Sequence, residues 1–254
     1  MTRATKKLVY GIVWGFVALI VVAGIFFAAR PSPTCTDGIK NQDEQDVDCG
    51  GPCELCEIKQ LNPVRVLRPA AAFSTPTGAV TIVALVLNPN AGYVAARVPY
   101  RFVLYDENGS VVETIAGDDR LFASEARYLY AGDVRTSSDR LARVELVIGD
   151  AQWKPRREIL RPDVEILSGA ETVVRDAALF VRGIVRNQST LPAERIRVTA
   201  MLLDRSGNEL FPGQGWVTNL LGTSEAPFTI QFQSDESLAL RVDPAATRLF
   251  VAVQ

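Results

Sequence analysis

Val80-Thr-Ile-Val-Ala-Leu-Val-Leu87 runs into Asn88-Pro89-Asn90, and Val98-Pro-Tyr-Arg-Phe-Val-Leu-Tyr105 runs into Asp106-Glu-Asn-Gly109. Each is a short apolar run closed by turn-forming residues. In the second run Tyr100, Phe102 and Leu104 recur at a spacing of two, the period of a strand, so they share one face. Asp106–Gly109 is a hairpin signal leading into Ser110–Ile115. From Pro63 onward the chain keeps this habit. Apolar runs of about four to eight residues alternate with turns, and no long helical period appears. Strands of that length and spacing predict a β-sandwich.

The pattern then repeats. Leu179–Val185 ends near Asn187, 99 positions after Asn88. Ile196–Leu203 follows, with Ile196, Val198, Ala200 and Leu202 on one face, and closes at Asp204-Arg-Ser-Gly207, 98 positions after Asp106. Ser124-Glu-Ala126 returns as Ser224-Glu-Ala226, and the closing strand Ala142–Val147 matches Arg248–Val253. Correspondences in order at nearly constant offset predict a tandem duplication.

Phe102-Val-Leu104-Tyr105-Asp106 spells F-x-L-Y-D, after a strand that ends in Asn88-Pro89-Asn90. In this the first domain resembles the FxLYD and late-embryogenesis-abundant-type families. Ala200–Asp204 keeps only the Leu and the Asp. The resemblance implies immunoglobulin-like sandwiches with no catalytic residues.

All four cysteines, Cys35, Cys49, Cys53 and Cys56, fall in one window, CTDGIKNQDEQDVDCGGPCELC. An even number in a loop-rich element too small for its own core reads as two disulfides, in any of three pairings. Half a zinc site or a redox pair at Cys53–Cys56 are the alternatives. The window also holds Asp37, Asp43, Glu44, Asp46, Asp48 and Glu54 against the single base Lys40. Closely spaced hard oxygens in a glycine-containing loop suit Ca²⁺. The expected ligands are Asp37, Asn41, Glu44 and Asp48, although the spacing is not that of an EF-hand. The alternative is a solvated acidic loop. The window resembles a secreted and envelope-attached element of pattern C-x-D-G-x-x-N-x-x-E-x-x-x-D-C-G-G-x-C-x-x-C, which implies an extracellular module.

Leu8–Ala29 contains no charged residue. As a helix its 22 residues span about 33 Å, enough for a hydrocarbon core of roughly 30 Å. A cleaved signal peptide has a shorter apolar core. The expectation is a single-pass anchor, with the basic flank Arg3, Lys6 and Lys7 in the cytoplasm and the remainder outside the cell membrane.

The predicted organisation is mostly β. It comprises a tail at 1–7, a transmembrane helix at 8–29, a cysteine-rich acidic segment at 30–63, a first sandwich at 64–150, a linker at 151–162 and a second sandwich at 163–254. The chain carries 27 basic and 29 acidic residues and no histidine. That balance gives no reason to expect a nucleic-acid partner. The missing histidine removes Ser-His-Asp and Cys-His nucleophile systems and imidazole zinc sites. The expectation is a non-enzymatic, membrane-anchored binding or structural protein of the cell envelope, with calcium the one cofactor suggested. A subunit of a larger envelope or secretion complex is the alternative. A carboxylate-dependent enzyme would have to draw on acids such as Glu125, Asp133 and Asp150, which carry no motif.

Overall fold

The computed structural model describes residues 3–28, 34–75, 78–136, 141–175, 178–232 and 236–254. Two units result, Met1–Leu61 and Asn62–Gln254.

The first unit holds helix α1 (Arg3–Ala28) and, after the cysteine segment, a 3₁₀ turn at Cys56–Gln60. The single-pass membrane placement expected from 8–29 is corrected here. Among the described residues no helix is long and apolar enough to cross a membrane. Ala29 and residues 30–33, which the anchor and segment boundaries include, lie outside the described residues.

The second unit is built of strands. In its first half β1 (Arg65–Ser74), β2 (Val80–Leu87) and β5 (Ala126–Val134) form sheet I in the order β1-β2-β5. The strands β3 (Tyr93–Tyr105), β4 (Val111–Leu121), β6 (Arg143–Ile148) and β7 (Gln152–Pro155) form sheet II, with β3 central between β4 and both β6 and β7. In the second half β8 (Val164–Ile166), β9 (Glu171–Arg175), β10 (Ala178–Asn187) and β13 (Glu225–Phe232) form sheet III, with β10 central. Sheet IV has the order β12-β11-β14, from β11 (Ala193–Leu203), β12 (Glu209–Leu220) and β14 (Arg248–Val253). A short helix α2 (Glu236–Arg241) precedes β14. All pairings are antiparallel.

The halves follow one wiring diagram. Sheet III places β8 and β9 beside β10 where sheet I places the bulged strand β1 beside β2, and sheet IV repeats the β4-β3-β6 order. The loops agree in detail. Asp106 Oδ1 accepts from the amides of Asn108 and Ser110, and Asp204 Oδ1 from those of Ser206 and Asn208. Gly109 and Gly207 both take φ near +80°, which glycine adopts without steric cost. The strand-ending asparagines match as well. Asn88 is fully buried, and its Nδ2 donates to the carbonyls of Tyr93 and Phe122. Asn187 is fully buried, and its Nδ2 donates to Leu191 and Leu221.

Three apolar clusters hold the unit together. Ile82, Ala84 and Val86 of β2 pack with Val98, Phe102 and Leu104 of β3 and with Leu121 and Leu129. Leu179, Val181 and Val185 of β10 pack with Ile196, Val198, Ala200 and Leu202 of β11 and with Ile230. The third cluster joins the halves. Val83 and Leu85 of β2 and Tyr128 of β5 meet Met201 and Leu203 of β11, with Phe250 against them. So β2 and the latter part of β11 are buried on both faces. This explains why residues 80–87 are almost uninterruptedly apolar rather than alternating. Each large apolar side chain fully buried at such a joint contributes about 1.5–3 kcal/mol relative to exposure.

Trp153 lies in β7, half-buried against the first cluster. Trp216 lies in the edge strand β12, 41% exposed, with the Arg195 guanidinium 3.9 Å from its ring centre.

Candidate functional site

The cysteine segment is crossed by two disulfides, Cys35–Cys53 and Cys49–Cys56. Their sulfurs are therefore bonded to one another and offer no thiolate to zinc or to redox exchange. This applies also to the one grouping of metal-ligand type among the described residues, Cys35, Glu44 and Cys53. A tight chain path brings the pairs together. Gly38, Gly50 and Gly51 have positive φ, as do Gln42, Asp43 and Asp48. A side chain on Gly51 would stand 2.6 Å from the Asp43 carbonyl oxygen, so that position admits only glycine.

All four residues expected as calcium ligands lie in this knot, and most of their oxygens are engaged by the backbone. Asp37 Oδ2 accepts from the Thr34 amide and Asn41 Nδ2, and Oδ1 accepts from the Ile39 amide. The Thr34 amide, then Asn41 and Ile39, hold the Asp37 carboxyl below the usual aspartate range. Asp48 accepts from the Gly38 amide at 3.0 Å. Glu44, 5% exposed, accepts at Oε2 from the amides of Asn41 and Asp48. These carboxylates thus fold a loop that has no apolar core of its own. Two oxygens of the set lack a hydrogen-bond donor. Asn41 Oδ1 is buried without a partner, and Glu44 Oε1 faces the Cys53 sulfur at 3.2 Å, which in a disulfide carries no hydrogen.

A second cluster, in the strand unit, was not singled out by the sequence. Asp119 on β4 accepts from Arg127 Nη1 of β5 at 2.6 Å and pairs with Arg197 of β11. Glu125 receives Arg127 Nη2 on both oxygens at 3.0 Å, the Phe122 amide at 2.7 Å, and Arg161 at 3.5 Å. Arg127 is 2% exposed. Nearby, Glu209 of β12 accepts from the Tyr128 hydroxyl at 2.8 Å and pairs with Arg68 of β1. Asp119 of the first half is thereby tied to a cation of the second, Glu125 to Arg161 of the connecting segment, and Glu209 of the second half to two groups of the first. The legible signal was phase. Asp119 sits two residues before Leu121, and Arg127 two before Leu129, on strand faces that are otherwise apolar. Of the acids considered for catalysis, Glu125 is consumed in this cluster, while Asp133 and Asp150 are exposed.

Charge also gathers on the outer face of sheet II, where Arg97, Pro99, Arg101, Ala116, Asp118 and Val147 line a groove of about 460 Å³. Arg97 stands 3.8 Å from Asp118, both more than half exposed.

No protein-family model matches the chain, and no curated protein is similar to it. Among solved structures it is similar to the exo-chitosanase CsxA of Amycolatopsis orientalis, at 14% identity and a TM-score of 0.25. The same enzyme inhibited by a glucosamine-configured castanospermine matches at 13% identity and the same score. In both cases 74% of this chain aligns, and it spans only 26% of the matched structure. A similarity that low carries no argument about function.

Proposed function

We propose that this chain is a non-catalytic binding and structural protein. It is built on two tandem immunoglobulin-like sandwich repeats, sheets I and II forming the first and sheets III and IV the second. The observation that carries the reading is the commitment of the buried carboxylates. Asp119 and Glu125, the strand-unit acids with the least access to water, are bound by Arg127, Arg161 and Arg197 and hold the repeats together. An acid fixed in that way is neither a free general base nor a free nucleophile. The duplicated wiring and the paired Asn88/Asn187 and Asp106/Asp204 loops support the tandem reading. The FxLYD resemblance fits it as well, with Phe102 and Leu104 in the core and Asp106 folding the turn. The purified chain, assayed against panels of aryl glycosides and esters, is expected to give no turnover above the buffer blank. Turnover that disappears in Glu125→Gln would overturn the reading.

The cysteine segment supports a second role, calcium binding by Asp37, Asn41, Glu44 and Asp48. It rests on the donorless oxygens of Asn41 and Glu44, which a hard cation would satisfy. Calorimetric titration of the oxidised chain with Ca²⁺ is expected to show saturable heat that is lost in Glu44→Gln. An absence of heat at millimolar Ca²⁺ would remove this role.

A further inference from the structure

The outer face of sheet II has a counterpart inside the molecule. By the matching Asp106 and Asp204 loops, Arg97, Pro99, Arg101 and Val103 of β3 correspond to Arg195, Arg197, Thr199 and Met201 of β11. On β11 this face is occupied. Met201 packs under Val83, Leu85 and Tyr128 of the first half, and Arg197 receives the carboxylate of Asp119. On β11 this face is thus covered by strands β2 and β5 at Met201, and at Arg197 it meets an acid from a third strand, β4.

On β3 the face is open. Arg101 is exposed and, among the described residues, has no carboxylate partner, Arg97 has the solvent-screened Asp118, and Val147 is 38% exposed. Arg120 and Arg143 share the face, against the carboxylates of Asp118 and Glu145. Arg97 and Arg101 stand four residues apart on one strand face, about 13 Å at 3.3 Å per residue. The groove floor between them is small and apolar, made by Pro99 and Ala116. An extended peptide has the same repeat, so side chains at positions 1, 3 and 5 meet those three stations in turn.

We propose that this groove binds an extended acidic peptide segment of pattern acid-x-apolar-x-acid, with its carboxylates on Arg97 and Arg101 and its apolar side chain over Pro99. The proposal rests on the binding-protein reading and names the class of partner. Charge-assisted arginine–carboxylate pairs, bidentate where the geometry allows, supply the specificity.

The test uses the full chain and fluorescein-labelled Glu-Thr-Val-Thr-Glu, read by anisotropy at low salt, beside the scrambled Glu-Glu-Thr-Thr-Val. The alternating peptide is expected to bind about tenfold or more tightly than the scrambled one. Arg101→Glu and Arg97→Glu should each weaken it by about tenfold or more, the scale of one lost hydrogen bond to a charged group. Ala116→Trp, which fills the floor without touching a charge, should abolish the preference. Equal affinity for the two peptides would reduce the effect to charge attraction and overturn the proposal, as would binding indifferent to Arg101→Glu or no binding at all. Turnover is measured separately, so failure here is distinguishable from failure of the non-catalytic reading.

Discussion

Asn88 and Asn187 show how a polar residue can be both buried and required. Each ends a strand where the chain must turn, and each spends its amide on backbone carbonyls of the chain around that turn. Removing the side chain takes one hydrogen bond from each of these carbonyls, and for Asn88 also those to the Leu121 carbonyl and from the Asn90 amide, at about 0.5–1.5 kcal/mol per bond. Asn88→Ala is therefore expected to lower stability by about 2–4 kcal/mol, read as a fall in the urea midpoint at constant slope. A change below half a kilocalorie would contradict this role. At this scale the sequence was informative. Asn88 and Asn187 were legible as strand ends, and Asp106 and Asp204 as hairpin formers, because turn chemistry is local. The partners of Asp37 and Glu44 were not legible. A carboxylate in a glycine-rich loop reads the same whether it faces a cation or a backbone amide, and only the folded path of residues 34–56 distinguishes them.

At the scale of elements, the charges between strands carry the energetics that the hydrophobic pattern concealed. Arg127 neutralises two buried acids at once. Arg127→Met leaves them short of a cation and is expected to cost about 3–5 kcal/mol. Adding Asp119→Asn and Glu125→Gln should recover more than half of that loss. A triple variant no better than the single would show that the cost lay in packing. The tyrosines beside these strands add a pH dependence. Burial, then the hydrogen bond to Glu209, pushes the Tyr128 hydroxyl well above the ordinary tyrosine range, and burial raises Tyr100 and Tyr130 as well. Each keeps its proton in the native state after the unfolded chain has lost it, so their contribution is complete below about pH 10 and falls as pH rises above it. Urea midpoints at pH 9 and 11 should show a drop that is smaller in Tyr128→Phe. An unchanged drop in that variant would remove Tyr128 from the account. Strand positions were read from period and turn signals. The partners of each strand were not, since Val83, Leu85, Met201 and Leu203 face a layer about a hundred residues away in sequence, and a single-strand pattern does not say what lies opposite.

At the scale of the whole molecule, the membrane crossing expected from Leu8–Ala29 was the reading that failed. A run of uncharged residues in the sequence does not by itself make a crossing, and among the described residues no helix is long and apolar enough for one. The proposed duplication rests on offsets written across several loops at once. The two halves nonetheless differ where they meet. The face carrying Val83 and Leu85 in the first half carries Arg182 and Ile184 in the second, and Met201 and Leu203 stand where the first half has Val103 and Tyr105. One such face is apolar enough to be buried and its counterpart charged enough to stay in water, so the stacking of sheets I and IV closes after two halves instead of propagating.

The central claim is that these halves form one cooperative body, and two tryptophans allow it to be tested. In the full chain with Trp14→Phe, urea unfolding would be followed by fluorescence in two further variants, one keeping only Trp153 of the first half and the other only Trp216 of the second. The buried joint of Val83, Leu85, Tyr128, Met201 and Leu203, with its arginine clamps, predicts superimposable transitions with one midpoint and one slope. Two separated transitions would contradict it and make the halves independent domains.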